Sequence, residues 1–126
     1  MNIERLEQEA NLLHAHVCQG LGDPKRVLML YLLAERPLNV TEVADALAAP
    51  QPTVSHHLKI LRDRGLIRAR KEGTSTYYSL TDHRIIEALD LMREIVADLL
   101  ARRAGLMENA RLGGLSVSSM TSSEED

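Results

Sequence analysis

The stretch Pro50-Gln51-Pro52-Thr53-Val54-Ser55-His56-His57-Leu58-Lys59-Ile60-Leu61-Arg62-Asp63-Arg64-Gly65 decides the fold. Laid on a helix at about 100° per residue, Val54, Leu58 and Leu61 fall on one stripe. Ser55, Lys59 and Arg62 fall on the opposite side, flanked by Thr53 and His56. The stripe can pack into a small core. The other side offers hydroxyl, imidazole, ammonium and guanidinium groups to something outside. Gly65 supplies the left-handed residue on which such a helix ends. A short helix that is apolar behind and donor-rich in front suits insertion into the DNA major groove.

Just upstream, Asn39 and Glu42 have the spacing of a capping box, with Asn in place of the usual Ser or Thr. They open a short helix, Thr41 to Ala48, that turns Val43, Ala44 and Leu47 inward. Ala49-Pro50-Gln51 is a tight connection, so the two helices form a helix-turn-helix. Downstream of Gly65 the period changes. Leu66 to Arg70 alternates apolar and polar residues, Lys71 to Ser75 reads as a turn, and Thr76 to Leu80 returns as a β-rich run. The result is a hairpin wing whose tip carries Lys71 and Gly73.

Further out, Ile3, Leu6, Ala10, Leu13 and Val17 recur at helical spacing and predict a helix over residues 2–18. Gly20-Leu21-Gly22 breaks it. Asp23 as cap and Pro24 in the first turn start a second helix, which stops near Arg36-Pro37. Val27, Leu28, Leu30, Tyr31 and Leu32 make that helix mostly buried. Thr81 or Asp82 caps a last helix, roughly Arg84 to Ala104. Its stripe is Ile85, Leu89, Met92, Val96 and Leu99, widened by Ile86, Ile95 and Leu100. Periodicity is lost from Gly105. The expected organisation is a winged helix-turn-helix DNA-binding and dimerisation domain over residues 1–104, mainly α with a β-hairpin wing. A flexible, acidic, Ser-rich tail follows over 105–126. A winged core of roughly 80 residues cannot bury the seams of two long helices, so the first and last helices are expected to pair with their copies in a homodimer.

The chain has 126 residues and neither Phe nor Trp, so aliphatic side chains and Met must fill one modest core. No apolar run reaches the ~18 residues of a membrane span. The first residues lack the basic-then-apolar order of a signal peptide, and a single cysteine excludes an intramolecular disulfide framework. These features point to a cytoplasmic protein. Net charge is −3, which by itself disfavours nucleic acid. Residues 50–80 run the other way, with Lys59, Arg62, Arg64, Arg68, Arg70 and Lys71 against Asp63 and Glu72. That basic patch is either a phosphate-binding surface or an ordinary solvated face.

The runs Leu21-Gly-Asp-Pro-Lys-Arg-Val-Leu-Met-Leu30, Asn39 to Leu47, and Gln51 to Ile67 with the following Arg-Lys-Glu-Gly wing and Tyr77-Tyr-Ser-Leu80 resemble the ArsR/SmtB family of winged-helix regulators. The resemblance spans about residues 12–100. It implies a homodimer that binds an inverted repeat near its own promoter, represses by excluding polymerase, and is released by an effector. It implies a DNA-facing set of Gln51, Thr53, Ser55, His56, Lys59 and Arg62. Arg70, Lys71, Gly73 and Thr74 fall on the wing, near the minor groove or backbone. The chemistry agrees: Gln can bond an adenine edge, Lys or Arg can bond guanine or phosphate, and Ser or Thr near a helix start can reach phosphate. His57 lies about 60° from the centre of the apolar stripe and reads as a structural, hydrogen-bonded histidine. Pro50 stands where the family usually has a capping Ser, which removes a cap.

The family's Cys-x-Cys sensor falls here on Asn39 and Thr41, so that thiolate site is absent. Its metal site on the last helix falls on Asp82, Arg84, Ile95 and Asp98, with no imidazole, and His83 is one residue off register. What remains is His14-Ala-His-Val-Cys18. His14 and Cys18 share a helical face. A pair from each of two protomers could ligate one zinc or another metal, or Cys18 could sense oxidants as a thiol. Alternatively, Cys18 is a small buried hydrophobe and the histidines are surface residues. No metal or cofactor is required by the sequence. No nucleophile–base pair or phosphate loop supports an enzyme, and the adjacent His56 and His57 point about 100° apart. The alternative to a DNA-binding regulator is a winged-helix protein-interaction module. Such a face would usually carry aromatic anchors, and α-helical residues 51–63 have none.

Overall fold

The computed structural model describes residues 1–113. The chain runs α1 (Ile3–Leu13), a π-turn (His14–Cys18), α2 (Pro24–Glu35), α3 (Val40–Leu47), α4 (Gln51–Asp63), β1 (Ile67–Glu72), β2 (Ser75–Leu80) and α5 (Arg84–Arg111). Two compact units are distinguished, Met1–Ile86 and the chain from Glu87 onward. The first holds the winged helix-turn-helix. The second carries most of α5.

Local chemistry sets the element ends. Asn2 caps α1 by accepting from Arg5 N. Asp23 Oδ1 accepts from Lys25 N at 2.8 Å, with Pro24 in the first turn of α2. The capping box of α3 is complete: Asn39 Oδ1 accepts from Glu42 N, and Glu42 Oε1 accepts from Asn39 N. Pro50 precedes α4 in extended conformation and offers no side-chain cap. Gly65 takes φ +85° after α4, as the left-handed ending requires. α3 ends differently. Its last position is Ala48, held at φ 52° and ψ 46°.

The core is built where α2, α3 and α4 meet the base of the hairpin. Met29, Leu30, Val43, Val54, Leu58 and Leu61 have 0% exposure, and Leu33, Leu38, Leu66, Ile67 and Leu80 close around them. The buried residues of α2 are Met29, Leu30 and Leu33, whereas Leu28 is 52% exposed. The helix is thus less buried than its sequence suggests. Its apolar residues are too continuous to reveal which of them face the core.

The wing is longer and tighter than its turn residues imply. β1 and β2 pair antiparallel from Ile67↔Leu80 to Glu72↔Ser75. Only Gly73 and Thr74 remain in the loop, and Gly73 has φ +63°. Lys71 therefore stands in β1 opposite Thr76 rather than at the tip. Leu38, just before α3, adds a one-residue bridge to Tyr78, with N–H···O distances of 3.1 and 2.8 Å in the two directions.

Two further departures lie at the ends. The first helix is α-helical only to Leu13; one wide turn follows, in which Gln19 N donates to His14 O at 2.9 Å. α5 continues to Arg111, seven residues beyond the expected boundary at Ala104. Gly105 does not stop it, since an exposed mid-helix glycine costs only about 1 kcal/mol. Of the expected tail, residues 105–111 are therefore helical, and 114–126 lie outside the described residues. No helix among the described residues is long and apolar enough to cross a membrane.

Two substitutions check this account. Ala48 is exposed and left-handed, so Ala48→Gly should stabilise the protein by roughly 0.5–1 kcal/mol, seen as a higher melting temperature. A Cβ on buried Gly20 would lie 2.7 Å from Leu66 Cδ1 and 2.9 Å from His16 O. Gly20→Ala should destabilise by about 1–3 kcal/mol in a urea titration, and an unchanged midpoint would contradict the packing.

Candidate nucleic-acid interface

The apolar back of α4 determines its front. With Val54, Leu58 and Leu61 fully buried, Gln51, Ser55, His56, Lys59 and Arg62 are exposed and Thr53 is half-buried. Thr53 and Ser55 lie in the first turns, where the uncapped N–H groups of α4 also point outward. Gln51 Nε2 donates to Thr41 Oγ1 at 3.3 Å, which ties the start of α4 to α3. Lys59 donates to Asp63 Oδ2 at 2.8 Å, and Arg62 lies 3.8 Å from the same carboxylate. The hydrogen bond from Lys59 holds the Asp63 carboxyl below the usual range. On the wing, Arg70, Lys71, Gly73 and Thr74 are all exposed, and Arg70 pairs with Glu72. The fold thus exposes Gln51, Ser55, His56, Lys59 and Arg62 along α4, leaves Thr53 half-buried at its edge, and carries the other four on the outer part of one hairpin.

His57 belongs to the inner side. It is 7% exposed, and its Nδ1 lies 2.9 Å from Arg26 Nη1. Guanidinium can only donate, so Nδ1 accepts and the ring proton sits on Nε2. Nε2 lies 3.9 Å from Asp23 Oδ2. Burial pushes the imidazole below the ordinary histidine range; Asp23 opposes that shift, while Arg26, His56 and Lys25 reinforce it. The structural reading of His57 holds. What the sequence did not reveal is its partner, because Arg26 lies thirty-one residues away and looks like an ordinary first-turn residue of α2.

At the far end of α4 a second set of contacts engages the π-turn. Arg64 Nη1 donates to Ala15 O at 3.1 Å, and His16 Nδ1 donates to Arg64 O at 2.9 Å. His14 and Cys18 sit on the same turn and are exposed in the single protomer. Among the described residues no group of three His, Cys, Asp or Glu side chains is placed to hold a metal. Asp82 is occupied otherwise. It accepts from Arg84 N and pairs with the Arg84 side chain at 2.7 Å, which lowers its carboxyl to about 2. It caps α5.

Several known proteins are similar. The family model described as "Bacterial regulatory protein, arsR family" matches residues 23–69. An uncharacterised HTH-type transcriptional regulator of Methanocaldococcus jannaschii is 44% identical over 82 residues, which is 64% of this chain and 92% of that protein. A transcriptional repressor SmtB homolog of Synechocystis is 33% identical over 99 residues, 79% of this chain and 69% of that one. Among solved structures, the homodimeric winged helix-turn-helix DNA-binding domain from Mycobacterium bovis aligns with a TM-score of 0.59 at 30% identity, covering 76% of this chain and 83% of that one.

Neutral His57 makes a pH prediction. Its folded pKa lies below the unfolded value of about 6.5, so its contribution is complete above pH 6.5 and is lost as pH falls toward the folded value. Asp23, Asp63 and Asp82 shift downward, so they act only below about pH 4. Unfolding free energy from urea titrations should decline between pH 7 and 5, and His57→Asn should flatten that decline. An equal slope in both proteins would remove His57 as its source.

Proposed function

The chain belongs to the arsR family of bacterial regulatory proteins, which are DNA-binding transcriptional regulators and not enzymes, and from that premise we propose that it works in the cytoplasm as a homodimeric repressor on an inverted-repeat operator. One observation carries the reading most directly. The outer face of α4 exposes Ser55, His56, Lys59 and Arg62 with no apolar anchor among them, while the back of the same helix is fully buried. Set in the major groove, Ser55, His56, Lys59 and Arg62 reach base edges and phosphates, with Gln51 and Thr53 at the helix start. Arg70, Lys71, Gly73 and Thr74 of the wing approach the adjacent minor groove or backbone. Exposed ion pairs such as Lys59–Asp63 contribute little to stability, so a phosphate can displace them.

The homodimer covers apolar surface that each protomer leaves open. Ile3, Leu6 and Leu13 of α1 and Met92, Ile95, Val96 and Leu99 of α5 are all exposed. Two such units, each presenting one α4, match the two half-sites of an inverted repeat. We assign release from the operator to an effector acting at the exposed π-turn, with Cys18 and His14 as the contact residues and a metal such as zinc or a thiol-reactive species as its chemistry.

Fluorescence anisotropy of the reduced, metal-free protein tests this, using the duplex upstream of its own gene and a scrambled duplex at two salt concentrations. Binding to the first by orders of magnitude over the second is expected; equal, weak and salt-steep binding to both would sink the operator reading. Ser55→Ala and His56→Ala should each cost about 1–3 kcal/mol of discrimination. Lys71→Ala should weaken both duplexes alike and reduce the salt slope by about one. Cys18→Ser should abolish release by metal or oxidant, and an intact response would exclude Cys18 as the sensor.

A further inference from the structure

Arg26 joins three segments through one guanidinium. Its Nε donates to Gly20 O at 2.8 Å and its Nη1 donates to His57 Nδ1 at 2.9 Å, while its backbone belongs to the first turn of α2. His57 is the one polar residue among the buried side chains of the described core. It sits mid-helix in α4, next to His56 on the outer face, with ring centroids 5.8 Å apart. The carbonyl that receives Nε belongs to Gly20, whose backbone is packed so closely against Leu66 and His16 that a Cβ would not fit.

We propose that Arg26 is a positioning residue for DNA recognition: through His57 it sets the rotation of α4, and a proton added to His57 Nδ1 releases that hold, so that operator affinity falls on acidification. This rests on the DNA-binding reading above. Neutral His57 is an acceptor at Nδ1 and a donor at Nε2. A proton taken from solvent turns Nδ1 into a second donor. The Arg26 Nη1–H then loses its acceptor and faces a cation. The groups that face the ring are Asp23, Lys25 and Arg26 from α2 and its neighbour His56. Among these only Asp23 is acidic, at 3.9 Å from Nε2, and it already caps α2 through Lys25 N. The charged ring can gain its partner only by moving toward Asp23 and away from Arg26. Such a move rotates α4. Since side chains one residue apart point about 100° from each other, even a small rotation displaces His56 and Ser55 from the groove.

His57→Asn separates positioning from mere packing, because the Asn amide oxygen can replace Nδ1 as acceptor but cannot be protonated. Anisotropy would be measured on the duplex upstream of the gene and on its scrambled control, at pH 7.5, 6.5 and 5.5. Wild type, Arg26→Ala, Arg26→Lys and His57→Asn would be compared, each checked by its thermal melt. Arg26→Ala should weaken specific binding about tenfold while leaving the scrambled duplex nearly unchanged. Arg26→Lys, which can reach one acceptor but not both, should fall between. Wild-type affinity should drop on acidification. His57→Asn should bind within about threefold of wild type at pH 7.5 and lose that drop, with His56 unchanged in this variant. Unchanged specificity in Arg26→Ala, or an equal acid response in His57→Asn, overturns the proposal. If wild type fails to distinguish the two duplexes at pH 7.5, the DNA reading fails instead. The positioning of α4 is then decided by amide NMR on the free protein: Arg26→Ala should move the resonances of residues 53–59 and His57→Asn should leave most in place. Unmoved resonances in Arg26→Ala reject it.

Discussion

The burial of Val54, Leu58 and Leu61 is the constraint on which the rest of this protein depends. Each of these side chains is wholly removed from water, and each such burial is worth about 1.5–3 kcal/mol. Together they approach the total stability of an ordinary small domain, roughly 5–15 kcal/mol. Their packing therefore holds α4 close to one rotation, leaving only small adjustments. Every outward-facing group on it inherits its direction from that packing. With neither Phe nor Trp in the chain, the core that receives α4 is made from small aliphatic groups and Met29, so a shift of one methylene would be felt throughout. Into this core the fold admits one imidazole, and it does so with a hydrogen-bond donor waiting on α2. Without Arg26, His57 Nδ1 would be a buried acceptor with nothing to accept, at a cost of about 1–3 kcal/mol.

The electrostatic layout follows a similar economy. The chain is acidic as a whole, yet its basic residues collect between 50 and 80. Several are held by nearby carboxylates: Lys59 by Asp63 and Arg70 by Glu72. Such exposed pairs contribute little to stability. Their effect is to keep long side chains directed along the surface in the absence of a ligand, at an energy that a polyanion easily exceeds. Arg64 has a different task. It sits near the basic patch but turns its guanidinium inward to Ala15 O, so it serves the fold and not the surface.

Periodicity made α3 and α4 legible from the sequence, because each has one wet face and one dry face, and the capping box at Asn39–Glu42 and the ending at Gly65 marked their limits; the hairpin was legible from two β-rich runs around a glycine turn. α2 was legible as a helix but not in its orientation: Leu28 and Met29 look alike in sequence, and only packing decides that the first faces out. The continuation of α5 past Gly105 was hidden because glycine is a weak breaker when nothing else competes for the chain. The left-handed Ala48, the Leu38–Tyr78 bridge and the π-turn leave no pattern, since each departs from the regular repeat over too short a stretch to leave a periodic signal. For the site, the outward residues of α4 followed from the stripe behind them. The long-range partners did not: Arg26 with His57 and His16 with Arg64 are pairings between distant segments that no local spacing encodes. Lys71 was misplaced for a simpler reason, as charged residues near a glycine suit a turn and a strand edge equally.

The π-turn at His14–Cys18 has a consequence for how this architecture can diverge. A π-turn holds one residue more than an α-turn, so it is equivalent to an insertion absorbed within a continuous helix. Losing any one residue there would restore the α-helical repeat. The eleven residues of α1 would then swing by about 100° and advance by about 1.5 Å. The helix-turn-helix and wing would not change at all, yet the apolar side chains of Ile3, Leu6 and Leu13 would face a new direction. A single codon is thus enough to re-aim the amino-terminal helix against whatever it packs on, which gives this scaffold a route to new packing geometries that leaves α4 untouched.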